Sequence, residues 1–302
     1  MKISHIFLLI LVAAIWGFNF VAIKVGLNHV QPLTFTAMRF FFAAFPAIFF
    51  VKRPKLPLHK IAAYGLVMFA GQFTFLFTAI HAGFSPGLAS LVLQVQAFFT
   101  IGFAVLFLSE KPLLVQLLGA LVAAGGIAVV ALHNGGEVTV TGLSLLILAA
   151  ISWGAGNVLT KTFGKIGKKE MFGIIIWGSL FAFPPLVALA FIMEGPDTIR
   201  QSVTGMAPAT LWSLAYIVCL STYVGYSIWS RMLTNYSAVV VAPFTLLVPA
   251  FGMLGAAIFL GEAYPLWKFL ATLLIISGLC LNQFGAKLQK FLRQKLKVKL
   301  AL

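Results

Sequence analysis

The stretch Gly87–Glu110, GLASLVLQVQAFFTIGFAVLFLSE, sets the first constraint on the fold. It is apolar over the roughly 20 residues that a helix needs to cross a bilayer. Gln94 and Gln96 interrupt it near its middle, and Ser109-Glu110-Lys111-Pro112 ends it before another apolar run begins. The stretch returns later as Ser237–Glu262, SAVVVAPFTLLVPAFGMLGAAIFLGE. A shift of 152 positions places Ser85 on Ser237, Phe99 on Phe251, Ala104 on Ala256, Phe107 on Phe259 and Glu110 on Glu262, and continues to Gly126 and Gly278. A membrane-spanning sequence that repeats itself points to a carrier built from two related halves.

Only 9% of the 302 residues are charged and 61% are hydrophobic, with a mean hydropathy of +1.05. A soluble domain carries about 25% charged residues, so the solvent for this surface is lipid. A net charge of +15 would suggest nucleic acid in a soluble chain. Here the basic residues sit in short connections and a tail, where they act as topology signals. The expected partners are therefore the lipid bilayer and a small-molecule substrate, with no nucleic acid. Cys219 and Cys280 lie inside apolar runs and read as small buried hydrophobes. The apolar run 5–25 is too long for a signal-peptide core and has no small-residue exit, so it reads as a retained first span.

Cutting the apolar runs at charges, Gly and Pro gives ten candidate helices, near 5–26, 33–51, 61–80, 87–108, 113–132, 140–161, 172–193, 209–230, 237–260 and 265–285. With both termini cytoplasmic, 17 of the 21 Lys and Arg fall on the inner side. Lys24, Arg200 and Lys268 fall outside, and Arg39 lies within a span. Ten spans divide into five and five, and an odd number per half inserts the halves in opposite directions. Earlier in the chain the offset is 137, which pairs Trp16-Gly17 with Trp153-Gly154 and Lys24 with Lys161; Pro46 pairs with Pro184 at 138. The polar stretch Glu194–Pro208 accounts for the longer offset later on. The expectation is an all-α polytopic membrane protein, with ten transmembrane helices as two inverted five-helix repeats around a central cavity. The repeats are 1–134 and 135–286, followed by a basic cytoplasmic tail, 287–302, whose pattern suits an anionic lipid surface.

Arg39 is the sharpest chemical feature. A guanidinium in a span costs at least ~2.5 kcal/mol, so it faces a wet cavity, finds a partner, or snorkels toward an interface. In a cavity it would grip a carboxylate with two parallel hydrogen bonds. Gln94 and Gln96 sit near mid-span but on different helix faces, so one of them faces a cavity. Asn19, Gln72 and Asn157 are similar cases. Each amide has two readings, as a substrate ligand or as a hydrogen-bonded tie between helices. Trp16 and Trp153 occupy repeat-related positions and would shape a cavity; Trp177, Tyr223, Tyr226 and Trp229 read more as interface anchors. Glu110 and Glu262 would cap the helices that follow them, with a proton relay as the other reading. Pro243 and Pro249 would free carbonyls inside the ninth span.

No G-x-x-x-x-G-K-[ST] or H-E-x-x-H motif is present, and the five His are scattered. No metal, no cofactor, no ATP hydrolysis and no enzymatic activity are expected.

The segments Trp16–Leu27 (WGFNFVAIKVGL), Pro32 to Arg39, Ala44–Leu58 (AFPAIFFVKRPKLPL) and Gly87–Thr100 (GLASLVLQVQAFFT) resemble the drug/metabolite transporter superfamily in its EamA-type branch. The resemblance covers nearly the whole chain. It implies a two-repeat, ten-helix exporter of small amino-acid-like solutes from the bacterial inner membrane, of the cysteine and O-acetylserine kind. Joined to the residue reading, it gives a secondary transporter that works by alternating access. Arg39 binds a carboxylate, and Asn19, Gln72, Gln94, Gln96 and Asn157 offer hydrogen bonds. The alternatives are an exporter of aromatic or drug-like solutes, and a lipid scramblase.

Overall fold

The computed structural model describes residues 1–133, 136–164, 167–236 and 238–299; the side chains of 168, 169, 234, 238, 239 and 286–299 are outside the description. Ten helices among the described residues are long and apolar enough to cross a membrane. They are α1 Ile3–Leu27, α2 Pro32–Phe49, α3 Leu58–His81, α4 Pro86–Leu108, α5 Leu114–Leu132, α6 Val140–Lys161, α7 Glu170–Met193, α8 Pro208–Leu233, α9 Ala242–Leu260 and α10 Leu266–Gly285. The α10 backbone stays helical to Lys299. The side chains that would make this tail a lipid-binding face, together with Lys165 and Ser237, fall outside the described residues. The polar stretch after α7 folds as the short helix Pro196–Thr204.

The principal packing pairs form a set that survives exchange of α1–α5 with α6–α10. Helix α1 packs on α9 and α8, as α6 packs on α4 and α3; α2 packs on α7, and α5 on α10. Small residues permit these approaches, as expected where lipid removes the hydrophobic drive between helices. A Cβ on Gly119 would stand 2.6 Å from the Gly278 carbonyl, and one on Gly278 2.4 Å from that of Gly119. Local irregularities are also doubled. π-helical turns occupy Gly65–Gly71 in α3 and Tyr216–Gly225 in α8. 3₁₀ turns occupy Leu93–Val95 in α4 and Ala242–Leu246 in α9, the second holding Pro243.

Helix α2 breaks at the cis Phe45–Pro46 bond. Pro46 has no N–H, so the Phe42 carbonyl loses its helical donor. The Tyr223 hydroxyl replaces it, donating to Phe42 O at 2.8 Å and Ala43 O at 3.0 Å. Trp177 Nε1 likewise donates to Val51 O at 3.3 Å. These two aromatics therefore tie helix ends to neighbouring helices. Cys219 faces outward from the bundle, where a buried position was expected, and Cys280 is partly buried.

Candidate functional site

Helix α2 is fixed from above. Pro32 opens it, and the Glu194 carboxylate at the end of α7 accepts from Leu33 N at 2.6 Å, Thr34 N at 3.0 Å and Thr34 Oγ1 at 2.6 Å. A carboxylate on free N–H groups at a helix start is favoured by both hydrogen bonding and the helix dipole. Two turns further on, Arg39 is buried, with 2% of its surface exposed. It does not snorkel. Its guanidinium carbon lies 3.7 Å from the centre of the Phe73 ring, with Phe40 at 5.4 Å and Phe77 at 5.8 Å. Its Nε and Nη1 have no hydrogen-bond acceptor. Stacked rings offset part of the desolvation of a buried cation, but they offer no acceptor to N–H groups. Two of its N–H donors are therefore left without an acceptor.

Two amides stand at the same depth. Arg39 is seven residues from the Glu194 end of its helix, Asn19 eight from that end of α1, and Gln72 nine from that end of α3. These three helices pack on one another. Asn19 and Gln72 are buried, and Asn19 Oδ1 and Gln72 Oε1 have no donor. Among the described residues the buried unpaired side-chain atoms are the cationic donors of Arg39, the amide oxygens of Asn19 and Gln72 on two neighbouring helices, and the hydroxyls of Thr74 and Thr210. Orphaned buried polar atoms are rare in finished cores. Those of Arg39, Asn19 and Gln72 are the donors and acceptors that a carboxylate and an ammonium group would satisfy.

Aromatic walls complete the arrangement. Trp16 packs on Tyr226 at 5.4 Å and Trp229 at 5.2 Å between ring centres, and Tyr226 is within electrostatic reach of Arg39. Trp16 Nε1 donates to Ser221 O at 3.0 Å, inside the α8 π-turn. Ser152 Oγ donates to Val67 O at 2.6 Å, inside the α3 π-turn. Each π-turn carbonyl thus finds a donor on the first helix of the other half. Trp153, next to Ser152, is half-buried against the core.

The remaining amides bond elsewhere. Gln94 is buried and its Nε2 reaches only Ser90 O of its own helix, at 3.4 Å. Gln96 Oε1 accepts from Asn157 Nδ2 at 2.8 Å; Asn157 also donates to Thr100 Oγ1 at 3.1 Å. This is a polar tie between α4 and α6.

The EamA-like transporter family description matches residues 3–132 and again 140–284. The chain belongs to this family. It is 41% identical over 290 residues to a Salmonella typhimurium protein named a probable amino-acid metabolite efflux pump, covering 95% of this chain and 97% of that one. An Escherichia coli protein of the same name is also 41% identical, over 94% and 96% of the two chains. A probable terminal-alkyne amino-acid exporter of Streptantibioticus cattleyicolor is 27% identical over 93% and 94%. A solved crystal structure superimposes with a TM-score of 0.63 at 16% identity, covering 95% of this chain and 99% of the other, which shows a shared fold. The protein is a multi-pass membrane transporter.

In this EamA-family chain the structure adds residues that sequence reasoning missed. Phe73 carries no polar signal, and only packing shows it under the guanidinium. Glu194 sits in a connection 155 positions after Arg39, and nothing in the sequence marks it as the cap of α2. Tyr226 carried a signal in its polar surroundings but read as an interface anchor; it packs against Trp16 inside the bundle. The outward depression lined by Pro208, Leu211, Trp212 and Ala215 is apolar and suits lipid tails.

Proposed function

We propose that the chain is an inner-membrane secondary carrier that exports amino acids or close metabolites of the cysteine and O-acetylserine kind by alternating access, with both termini cytoplasmic. Its two halves, 1–134 and 135–286, act as inverted repeats, and 287–302 is a cytoplasmic tail. The observation that carries this reading is the set of unpaired polar atoms at the depth of Arg39 on α1, α2 and α3. A zwitterion presents a carboxylate to Nε and Nη1. It presents its ammonium to the oxygens of Asn19 and Gln72. Neutral oxygens hold an ammonium without an intramembrane acid, and the described spans α1–α6 and α8–α10 contain none. Trp16 and Phe73 would flank the side chain. Gln94, Gln96, Asn157 and Trp153 would line the opposite side of the path and reach the solute in another conformation. The names borne by the 41% identical relatives support the same cargo class.

The test is counterflow in proteoliposomes, with labelled cysteine outside and a panel of unlabelled solutes inside. The expected result is saturable exchange with small zwitterions, O-acetylserine included, and none with amines lacking a carboxylate. Exchange confined to aromatic cations, or lipid movement with no solute exchange, would overturn it in favour of a drug exporter or a scramblase.

A further inference from the structure

The two ends of the bundle carry one ion-pair device in two settings. Glu110 and Glu262 stand 152 positions apart, each one residue after a left-handed residue, Ser109 at φ 54° and Gly261 at φ 68°. Each donates its backbone N–H to the carbonyl six residues back, Ala104 and Ala256, at 3.2 Å in both cases. Lys24 and Lys161 stand 137 positions apart, each in the last turn of its helix. The helices that carry them pack alike. A Cβ on Gly17 of α1 would lie 2.5 Å from Phe251 Cβ of α9, and one on Gly154 of α6 would lie 2.8 Å from Phe99 Cβ of α4. Lys24 is therefore placed toward Glu262 as Lys161 is placed toward Glu110.

Among the described residues only the second pair is made. Lys161 Nζ lies 3.0 Å from Glu110, both half-exposed. Glu262 is occupied elsewhere. Its Oε2 accepts from Ser85 Oγ, its Oε1 accepts from Gly87 N at 3.3 Å, and Lys268 Nζ stands 4.0 Å away, itself bonded to Glu137. These contacts fasten the end of α9 to the start of α4, and residues 86–95 of α4 are all buried. In α9, residues 242–247, which match 90–95, are all partly or fully exposed, although Val241 just before them is buried. The α4–α9 seam is thus tight at the Glu262 end and looser at the Glu110 end.

In a carrier made of inverted repeats, the second end state is reached when the halves exchange conformations. On that reading, which is the one proposed above, a contact made by one half here belongs to the other half in the alternate state. We propose that Glu110–Lys161 and Glu262–Lys24 are alternating ion pairs. Glu262 leaves Ser85 and Gly87 for Lys24 as Glu110 leaves Lys161. The half-exposed Glu110–Lys161 pair suits this role, because it is weak enough to break within a transport cycle.

The test is cross-linking in native membranes with a short bifunctional thiol reagent, in protein carrying Cys219→Ser and Cys280→Ser. Two further pairs are introduced separately, Lys24→Cys with Glu262→Cys and Glu110→Cys with Lys161→Cys. Both pairs are expected to cross-link. Adding Lys161→Ala to the first pair is expected to raise its yield by up to about fivefold, and Lys161→Arg to restore it. No Lys24–Glu262 product in membranes where the Glu110–Lys161 pair cross-links would overturn the proposal. A yield indifferent to Lys161→Ala would do the same. The readout needs no solute, so exchanging cross-links without counterflow would reject the cargo alone, and counterflow without the Lys24–Glu262 product would reject the alternation alone.

Discussion

Replacing Arg39 by Met separates a functional arginine from a structural one, because the two roles predict opposite signs. The substitution removes a buried cation whose Nε and Nη1 are unpaired. Relieving a charge within the span is worth ~2.5–3.5 kcal/mol on insertion scales. Losing the Phe73 contact at 3.7 Å gives back ~2 kcal/mol, the value for a desolvated cation–π pair. The empty carrier is therefore expected to melt at the same temperature as the native protein or slightly above it. Solute binding moves the other way. Removing one partner of a buried, hydrogen-bonded charge pair costs about 2–5 kcal/mol, which is roughly 30- to 5,000-fold in affinity. The assay is thermal unfolding in detergent with and without the exchanged zwitterion, beside counterflow. Native protein at 100-fold Kd should gain about 2.7 kcal/mol from ligand, and Arg39→Met none. Arg39→Lys keeps the charge but not the fork, and should fall between them. If Arg39→Met melts several degrees lower while exchange kinetics stay native, Arg39 serves the fold and the site assignment is wrong.

Two more outcomes follow from groups at the bundle end. Glu194→Gln weakens three contacts at the start of α2 and should cost about 1–2 kcal/mol, read as a melting point lower by a few degrees. Burial raises the Glu262 carboxyl above the ordinary carboxylate value, against the bonds from Ser85 and Gly87 and the charge of Lys268, with Glu137 pushing the same way as burial. The folded state then holds that proton more tightly than the unfolded chain, so this group's contribution to stability falls as pH rises from about 4.5 through the raised value. Glu262→Gln should flatten that part of the melting-temperature-against-pH curve; an unchanged curve would mean that Glu262 titrates alike in the folded and unfolded chain.

The spans were legible because lipid imposes a length and an apolarity that few residues escape. The start of α9 was placed near 237; a helical turn over Ala238–Val241 leads directly into the 3₁₀ turn that holds Pro243 and then into the span counted from Ala242. The carboxylates Glu110 and Glu262 were expected to cap the helices after them. Both instead reach across the bundle, to Lys161 and to Ser85 with Gly87. The left-handed residues before them turn the chain so that each side chain faces a neighbouring helix, and no count of spacing within one helix shows that. The π-turns had no signature at all: nothing in GLVMFAG marks a widened helix. Arg39 was visible as a charge out of place, while its surroundings depended on which helices became neighbours.

Symmetry gives the site its sharpest argument. The features that recur at the repeat offsets, Gly17 with Gly154, Glu110 with Glu262, Lys24 with Lys161, lie at helix contacts and ends. The unpaired polar residues do not recur. At the same offsets Arg39 faces Trp177, Asn19 faces Gly156, and Gln72 faces Val224. A fold that needed a buried arginine or amide at these places would be expected to need it twice, because the two halves share the placement of their π- and 3₁₀ turns and their principal packing pairs. Arg39, Asn19 and Gln72 lie in one half only, with donors and acceptors unmet; in the other half the unpaired buried atom among the described residues is the Thr210 hydroxyl. Nothing described within the bundle offsets the cost of these unmet donors and acceptors, and on the function proposed here a small zwitterion would supply both missing partners at once.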